Sequence, residues 1–167
     1  MSAQRPAFIA IGSNIQPQQH IRRCLDLLGT LRDSSLAAES SWYLTRPWGI
    51  ADQPDFINLV VGLQTSLSPR ELLRETQAIE ASLDRLRTLQ NGPRTLDLDI
   101  VLFGERVVAN DDLAIPHPGL LLRDFMLLPL IEIAPEAIHP ARGLPVMLLK
   151  GEIRHRQILE RIATKPF

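Results

Sequence analysis

An α+β fold built on an antiparallel sheet follows from three observations on this 167-residue chain. Segments with apolar residues at helical spacing alternate with short aliphatic runs in the order β-α-β-β-α-β. A capping box opens the second helical segment at Ser68, and the aliphatic run after it carries two aspartates, Asp97 and Asp99, at alternate positions. At about 100–200 residues per domain, the length predicts one domain over residues 1–167, long enough to bury a core. Eighteen basic residues against nineteen acidic ones leave a formal charge of −1. A duplex-binding protein carries a positive excess to displace counterions, so nucleic acid is not an expected partner. No apolar run approaches the roughly eighteen residues of a membrane span, and the first six residues lack the apolar stretch of a signal peptide, so no membrane association is expected. Cys24 is the single cysteine. It has no internal disulfide partner, and a reducing cytoplasm is the expected compartment.

Taken in order, residues 8–11 form an apolar run that stops at Gly12-Ser13-Asn14, a buried strand followed by a turn. Over residues 17–31, Ile21, Cys24, Leu25, Leu28 and Leu31 recur at three- and four-residue steps, the pattern of an amphipathic helix that tolerates Pro17 in its first turn. Residues 36–45 read as one strand, and residues 46–55, with Pro47, Gly49 and Pro54, as a long loop. Residues 56–64 are dense in aliphatic side chains and read as an interior strand. Ser68 then caps a helix with Pro69 at its first position and Glu71 three residues on, and Leu72, Thr76, Ile79 and Leu83 form its buried stripe. Asn91-Gly92-Pro93 breaks the chain before a strand over 96–103. This order is the split, ferredoxin-like α+β arrangement. C-terminal additions follow: a short strand at 106–109, a proline-rich loop at 115–118, an apolar segment over 125–133, and a polar, arginine-bearing helix over 152–163.

The sharpest chemical feature is Arg94-Thr95-Leu96-Asp97-Leu98-Asp99-Ile100. Side chains alternate faces along a strand, so Asp97 and Asp99 point the same way, roughly 7 Å apart. Leu96, Leu98, Ile100 and Leu102 are expected on the core face. Two carboxylates projecting together require an opposite charge. Hard oxygen ligands on rigid backbone suit Mg²⁺, and a pair suits two ions about 4 Å apart. The other reading is a solvated face with the acids paired to arginine. Arg85, Arg87 and Arg94 stand close by in sequence, as a cationic clamp for phosphates or as ordinary surface charge. Gln77 and Glu80 are three apart on one helix face, where solvated surface is the plainer reading of a base- or ribose-binding pair. His117 sits in a stiff Pro-His-Pro loop, as a phosphate ligand or a turn residue. Gly12-Ser13-Asn14 has the residue types of an anion cradle but not the P-loop pattern. Phe56 and Phe125 end apolar segments as core residues or as a pair able to stack on a flat heterocycle.

Together these residues resemble the 6-hydroxymethyl-7,8-dihydropterin pyrophosphokinases. The resemblance rests on Ile11-Gly12-Ser13-Asn14, Tyr43-x-Thr45, Asp52-Gln53-Pro54-Asp55-Phe56-Ile57-Asn58, Gln77-x-x-Glu80, Gly92-Pro93-Arg94-Thr95-Leu96-Asp97-Leu98-Asp99-Ile100, Pro116-His117 and Arg123-x-Phe125, in family order. It implies transfer of a pyrophosphoryl group from ATP, the co-substrate, to the pterin hydroxymethyl oxygen with release of AMP. It implies Asp97 and Asp99 as ligands of two Mg²⁺ ions. Gln77, Glu80, Arg87, Ile100 and His117 then match ATP contacts, and Arg85, Arg94 and Arg123 match mobile or phosphate-facing arginines. Thr45, Phe56, Asn58 and Phe125 match the pterin pocket. Trp48, at that pocket's rim, stands where a smaller apolar residue is common, and Phe56 where tyrosine is commoner. Small-molecule substrates and a monomer are expected. The alternative is a non-catalytic pterin- or nucleotide-binding paralogue.

Overall fold

Strand pairing organises the molecule around one antiparallel sheet, seen in a computed structural model that describes residues 3–83 and 96–162. The central strands are β1 (Arg5–Ser13), β4 (Phe56–Thr65) and β5 (Asp97–Phe103), with β4 and β5 on either side of β1. Strands β2 (Ser34–Glu39) and β3 (Trp42–Thr45) share the other edge of β4, and β10 (Ile158–Ile162) adds to β3. Helices α1 (Pro17–Gly29) and α2 (Pro69–Ser82) lie on one face. On the other lies α3 (Asp124–Ile133) with the turns after it. Two-residue strands make small ribbons, β6 (Val108–Ala109) with β7 (Ala114–Ile115) and β8 (Ile138–His139) with β9 (Leu144–Pro145). The ferredoxin-like core with C-terminal additions is therefore present. No helix among the described residues is long and apolar enough to cross a membrane.

The sheet separates two cores because strand side chains alternate faces. Ile9, Ile11, Leu59, Val61, Leu98 and Ile100 point to α1 and α2, where Ile21, Leu28, Leu72 and Ile79 cover them. Phe8, Ala10, Val60 and Val101 point to α3 and meet Met126, Leu127 and Leu130. The capping box forms as read: Ser68 Oγ accepts from Glu71 N at 3.1 Å, and Glu71 Oε1 accepts from Ser68 N at 2.9 Å. Cys24 is buried in the helix-side core, and burial pushes its thiol up to about 12.

Three expectations are corrected. The strand over 36–45 is two strands, because Ser40 breaks it. Its backbone N–H and its hydroxyl engage Val60 O and Val60 N, both at 2.9 Å. Leu102 does not share a face with Leu98 and Ile100. A register shift between Phe8 and Ile9 opposite residues 100–102 turns it into the α3-side core. The helix expected over 152–163 is not formed among the described residues either. A 3₁₀ turn (Lys150–Glu152) leads into an extended run, and β10 pairs with β3, Ile158 opposite Thr45 and Ile162 opposite Trp42.

Candidate active site

One register row on the α3 side of the sheet carries the site. Tyr43 on β3 pairs with Asn58 on β4, Asn58 with Gly12 on β1, and Gly12 with Asp97 on β5. Directly paired residues share a face. The neighbouring pairs place Phe56 opposite Thr45, and Asp99 opposite Ala10, on that face too. The two carboxylates and Thr45, Phe56 and Asn58, far apart in sequence, are thus brought onto one surface, beyond the N-terminus of α3. Asn58 Nδ2 donates to Thr45 Oγ1 at 2.8 Å, which fixes the amide. Gly12 lets the Asn58 amide lie directly over β1, since a Cβ there would stand 2.5 Å from Asn58 Oδ1. Gly12→Ala is therefore expected to push the Asn58 amide off Thr45 and weaken binding of a ring held by it about tenfold, as one lost polar contact would. Titration calorimetry with a pterin checks this, and unchanged affinity would contradict it.

The acid strand is anchored from below. Leu96, Leu98 and Ile100 are buried in the helix-side core. The Leu98 N–H, between the two acids, donates to Glu80 Oε2 at 2.8 Å. Glu80 is 7% exposed, so the reading of Gln77 and Glu80 as a solvated pair is corrected. Gln77 is exposed on α2, whereas Glu80 turns inward against β5. The side chain of Ile100 likewise packs toward the helices, which leaves its backbone as the part available to a ligand. Arg85, Arg87 and Arg94 lie outside the described residues.

The other wall is the segment 116–125. His117 N donates to Val101 O at 3.0 Å, tying this loop to β5. The ring's Nδ1 accepts from Gly119 N at 2.9 Å, so the neutral imidazole carries its proton on Nε2. Burial, and then the neighbouring Arg123 charge, depress His117 to about 4 against the opposing field of Asp97. The folded protein takes up this proton less readily than the unfolded chain. Its stability is thus full above about pH 6.5 and declines as pH falls from there toward 4. An NMR titration of the His117 ring is expected to show a midpoint well below 6, and a midpoint near 6.5 would contradict the burial described. Arg123 is half-buried, and burial lowers it while the Asp99 and Asp97 charges hold it up. Its Cζ lies 4.0 Å from the Trp48 ring centroid. Phe125, in the first turn of α3, is buried, with its ring 6.3 Å from Trp48.

Several residues that shape this wall were not singled out in the sequence. Buried Asp124 accepts from Gln157 N at 2.9 Å and from Ile158 N at 3.1 Å. Gln157 in turn receives Arg46 N on its backbone oxygen at 2.8 Å and donates its side-chain amide to Pro47 O at 3.1 Å. His155 stands edge-on to Trp48 at 4.8 Å. A cleft of about 730 Å³ opens here between the 46–55 loop and the C-terminal run. Only the acid flanked by Arg123 and Phe125 gave a local signal. The Asn14 side chain holds the 46–55 loop, its Nδ2 donating to Gln53 Oε1 and Pro54 O, both at 2.9 Å.

Residues 8–135 match the 7,8-dihydro-6-hydroxymethylpterin-pyrophosphokinase (HPPK) family. A 2-amino-4-hydroxy-6-hydroxymethyldihydropteridine pyrophosphokinase of Haemophilus influenzae is 39% identical over 153 residues, 91% of this chain and 96% of that protein. Its namesake in Pseudomonas aeruginosa is 44% identical over 143 residues, 84% of this chain and 88% of that protein. Among solved structures, Plasmodium falciparum HPPK-DHPS with pteroate superposes with a TM-score of 0.72 at 15% identity. That likeness, over 91% of this chain and 43% of the longer one, is one of fold.

Proposed function

The chain belongs to the 7,8-dihydro-6-hydroxymethylpterin-pyrophosphokinase family, and from that premise we propose that the Asn58–Gly12–Asp97 row is its reaction floor. The protein is an ATP-dependent pyrophosphokinase of folate biosynthesis. It transfers pyrophosphate from ATP to 6-hydroxymethyl-7,8-dihydropterin. The pterin hydroxyl oxygen bonds to the β-phosphorus, the bond from that phosphorus to the α-phosphate oxygen breaks, AMP leaves, and the hydroxyl proton is lost to solvent.

Asp97 and Asp99 would hold two Mg²⁺ ions. No third His, Cys, Asp or Glu joins them in a metal-holding group among the described residues. Mg²⁺ keeps several waters and takes oxygens from substrate phosphates, so two half-buried carboxylates fit it. When bound, the ions neutralise charge on the transferred phosphates. The chain's own part is positioning. The Asn58 amide, held by Thr45, reads the polar edge of the pterin, while Phe56 and Phe125 offer stacking faces and Trp48 closes the rim. His117 donates Nε2–H, and Arg123 its guanidinium, to phosphate oxygens, where developing charge rewards a preorganised donor. On the family resemblance, Gln77, Glu80, Arg87 and the Ile100 backbone are proposed as ATP contacts, and Arg85 and Arg94 as arginines for its phosphates. The hydroxyl needs orientation more than a strong base, as in phosphoryl transfer generally.

The observation that supports this most is the single row joining the Asn58 amide to Asp97 across three strands, with Asp99 on the same face beside it. Mixing the protein with ATP, Mg²⁺ and the hydroxymethyl pterin should release AMP in proportion to pterin diphosphate. Binding of both ligands without AMP would favour the paralogue reading, which the family matches do not support. We further propose one catalytic unit over residues 1–167, since both cores share the same sheet. A monomer in a reducing cytoplasm is proposed, the compartment because the single cysteine, Cys24, can form no internal disulfide.

A further inference from the structure

Arg123 does not reach the acid pair as a free surface arginine. Its guanidinium lies against the Trp48 indole, Cζ at 4.0 Å from the ring centroid. It also lies close over Gly119. A Cβ built there would stand 2.6 Å from Arg123 Nε, 2.7 Å from Cζ and 3.0 Å from Cδ. The arginine therefore sits in a slot lined by an aromatic face and a bare backbone. Both linings are braced. His155 meets Trp48 edge-on at 4.8 Å and an interplanar angle of 79°, and its own backbone is held by Leu122 O and Asp124 N. The Gln157 side chain binds Pro47 O, directly before Trp48. Gly119 is tied to the His117 ring through its N–H.

We propose that Trp48 and Gly119 are positioning residues that hold the Arg123 guanidinium flat and aimed over the Asp97–Asp99 face, so that it meets the phosphates without reorientation. This gives Trp48 a role distinct from closing the pterin rim, and it rests on the reading of Arg123 as a phosphate-facing group. A cation–π stack favours the guanidinium over a lysine-like point charge, because only the planar fork lies flat on an indole. Preorganised donors act on charge that develops in the transition state, so loss of the slot should appear in kcat rather than in pterin KM. Gly119 makes the test clean. An added methyl group meets the flexible far end of the arginine chain, which can swing away without disturbing the fold.

The test is steady-state kinetics of the full chain with ATP, Mg²⁺ and hydroxymethyldihydropterin on Trp48→Leu, Trp48→Phe, Gly119→Ala, Arg123→Ala and the Trp48→Leu/Arg123→Ala double variant. Trp48→Leu and Gly119→Ala should each lower kcat about tenfold, the cost of losing a partly desolvated cation–π stack, and Gly119→Ala, away from the pterin rim, should leave pterin KM within about twofold. Trp48→Phe should recover most of kcat. Trp48→Leu should cost less than about twofold further once Arg123 is gone, because coupled residues are not additive. A Trp48→Leu defect confined to pterin KM, a Trp48→Phe variant as slow as Trp48→Leu, or independent losses in the double variant would overturn the slot. An Arg123→Ala variant as fast as the parent would instead overturn the reading of Arg123 itself, and the slot with it. If Trp48→Leu fails to fold, Gly119→Ala against Arg123→Ala carries the same comparison.

Discussion

Asp97→Ala is expected to lower the rate of AMP release by about a thousandfold or more, a loss of roughly 4 kcal/mol of transition-state stabilisation. Asp97 stands at the start of β5 with its side chain on the open, α3-side face, while Leu96 and Leu98 on either side of it anchor the strand in the helix-side core. Removing the carboxylate would take away the proposed metal ligand and leave this apolar anchoring in place. Asp97→Asn keeps the shape and loses the charge, and it should be nearly as slow. Thermal unfolding of both variants should stay within a few degrees of the parent, which separates lost chemistry from lost fold. A rate within tenfold of the parent would mean that Asp97 is not what holds charge against the phosphates.

Phe56→Ala is expected to act on the other substrate. Phe56 opens β4 opposite Thr45, is 4% exposed, and lies on the same sheet face as Asn58. Losing one stacking face of a flat heterocycle removes about 2–3 kcal/mol of contact, roughly a 30- to 150-fold weaker pterin affinity. ATP affinity should change by less than about threefold, since the ring lies on the pterin side of Gly12. Truncating a buried aromatic also costs about 3 kcal/mol of stability, so binding must be measured well below the variant's unfolding temperature. Phe56→Tyr keeps the face and should bind almost as the parent does. Pterin affinity within threefold in Phe56→Ala would remove the ring from the pocket.

What could be read from the sequence was the part governed by local rules. Ser68 and Glu71 form a capping box because both reciprocal bonds lie within four residues. Asp97 and Asp99 share a face because side chains alternate along a strand and no register shift falls between them, unlike Ile100 and Leu102 further on. Non-local partners decided the rest. Ile158 and Ile162 are four apart, a spacing at home on one side of a helix, but β10 pairs with the free edge of β3 through a register shift that sends them to opposite cores. Glu80 looks like helix surface until β5 presents the Leu98 N–H to it. The strand break at Ser40 depends on Val60, twenty residues away. Within the site, the acids and the two phenylalanines were legible as residue types. The floor at Gly12, the Asp124 grip on Gln157 and Ile158, and the Arg123–Trp48 stack exist only once distant strands meet.

A crystal structure of the protein with Mg²⁺, a non-hydrolysable ATP analogue and hydroxymethylpterin is the most direct measurement. The expected result is two metal ions ligated by Asp97 and Asp99, shared with phosphate oxygens of the nucleotide, and the pterin hydroxymethyl group facing the β-phosphorus. Carboxylates capped by guanidinium groups, with the nucleotide's metal ions bound elsewhere, would contradict it.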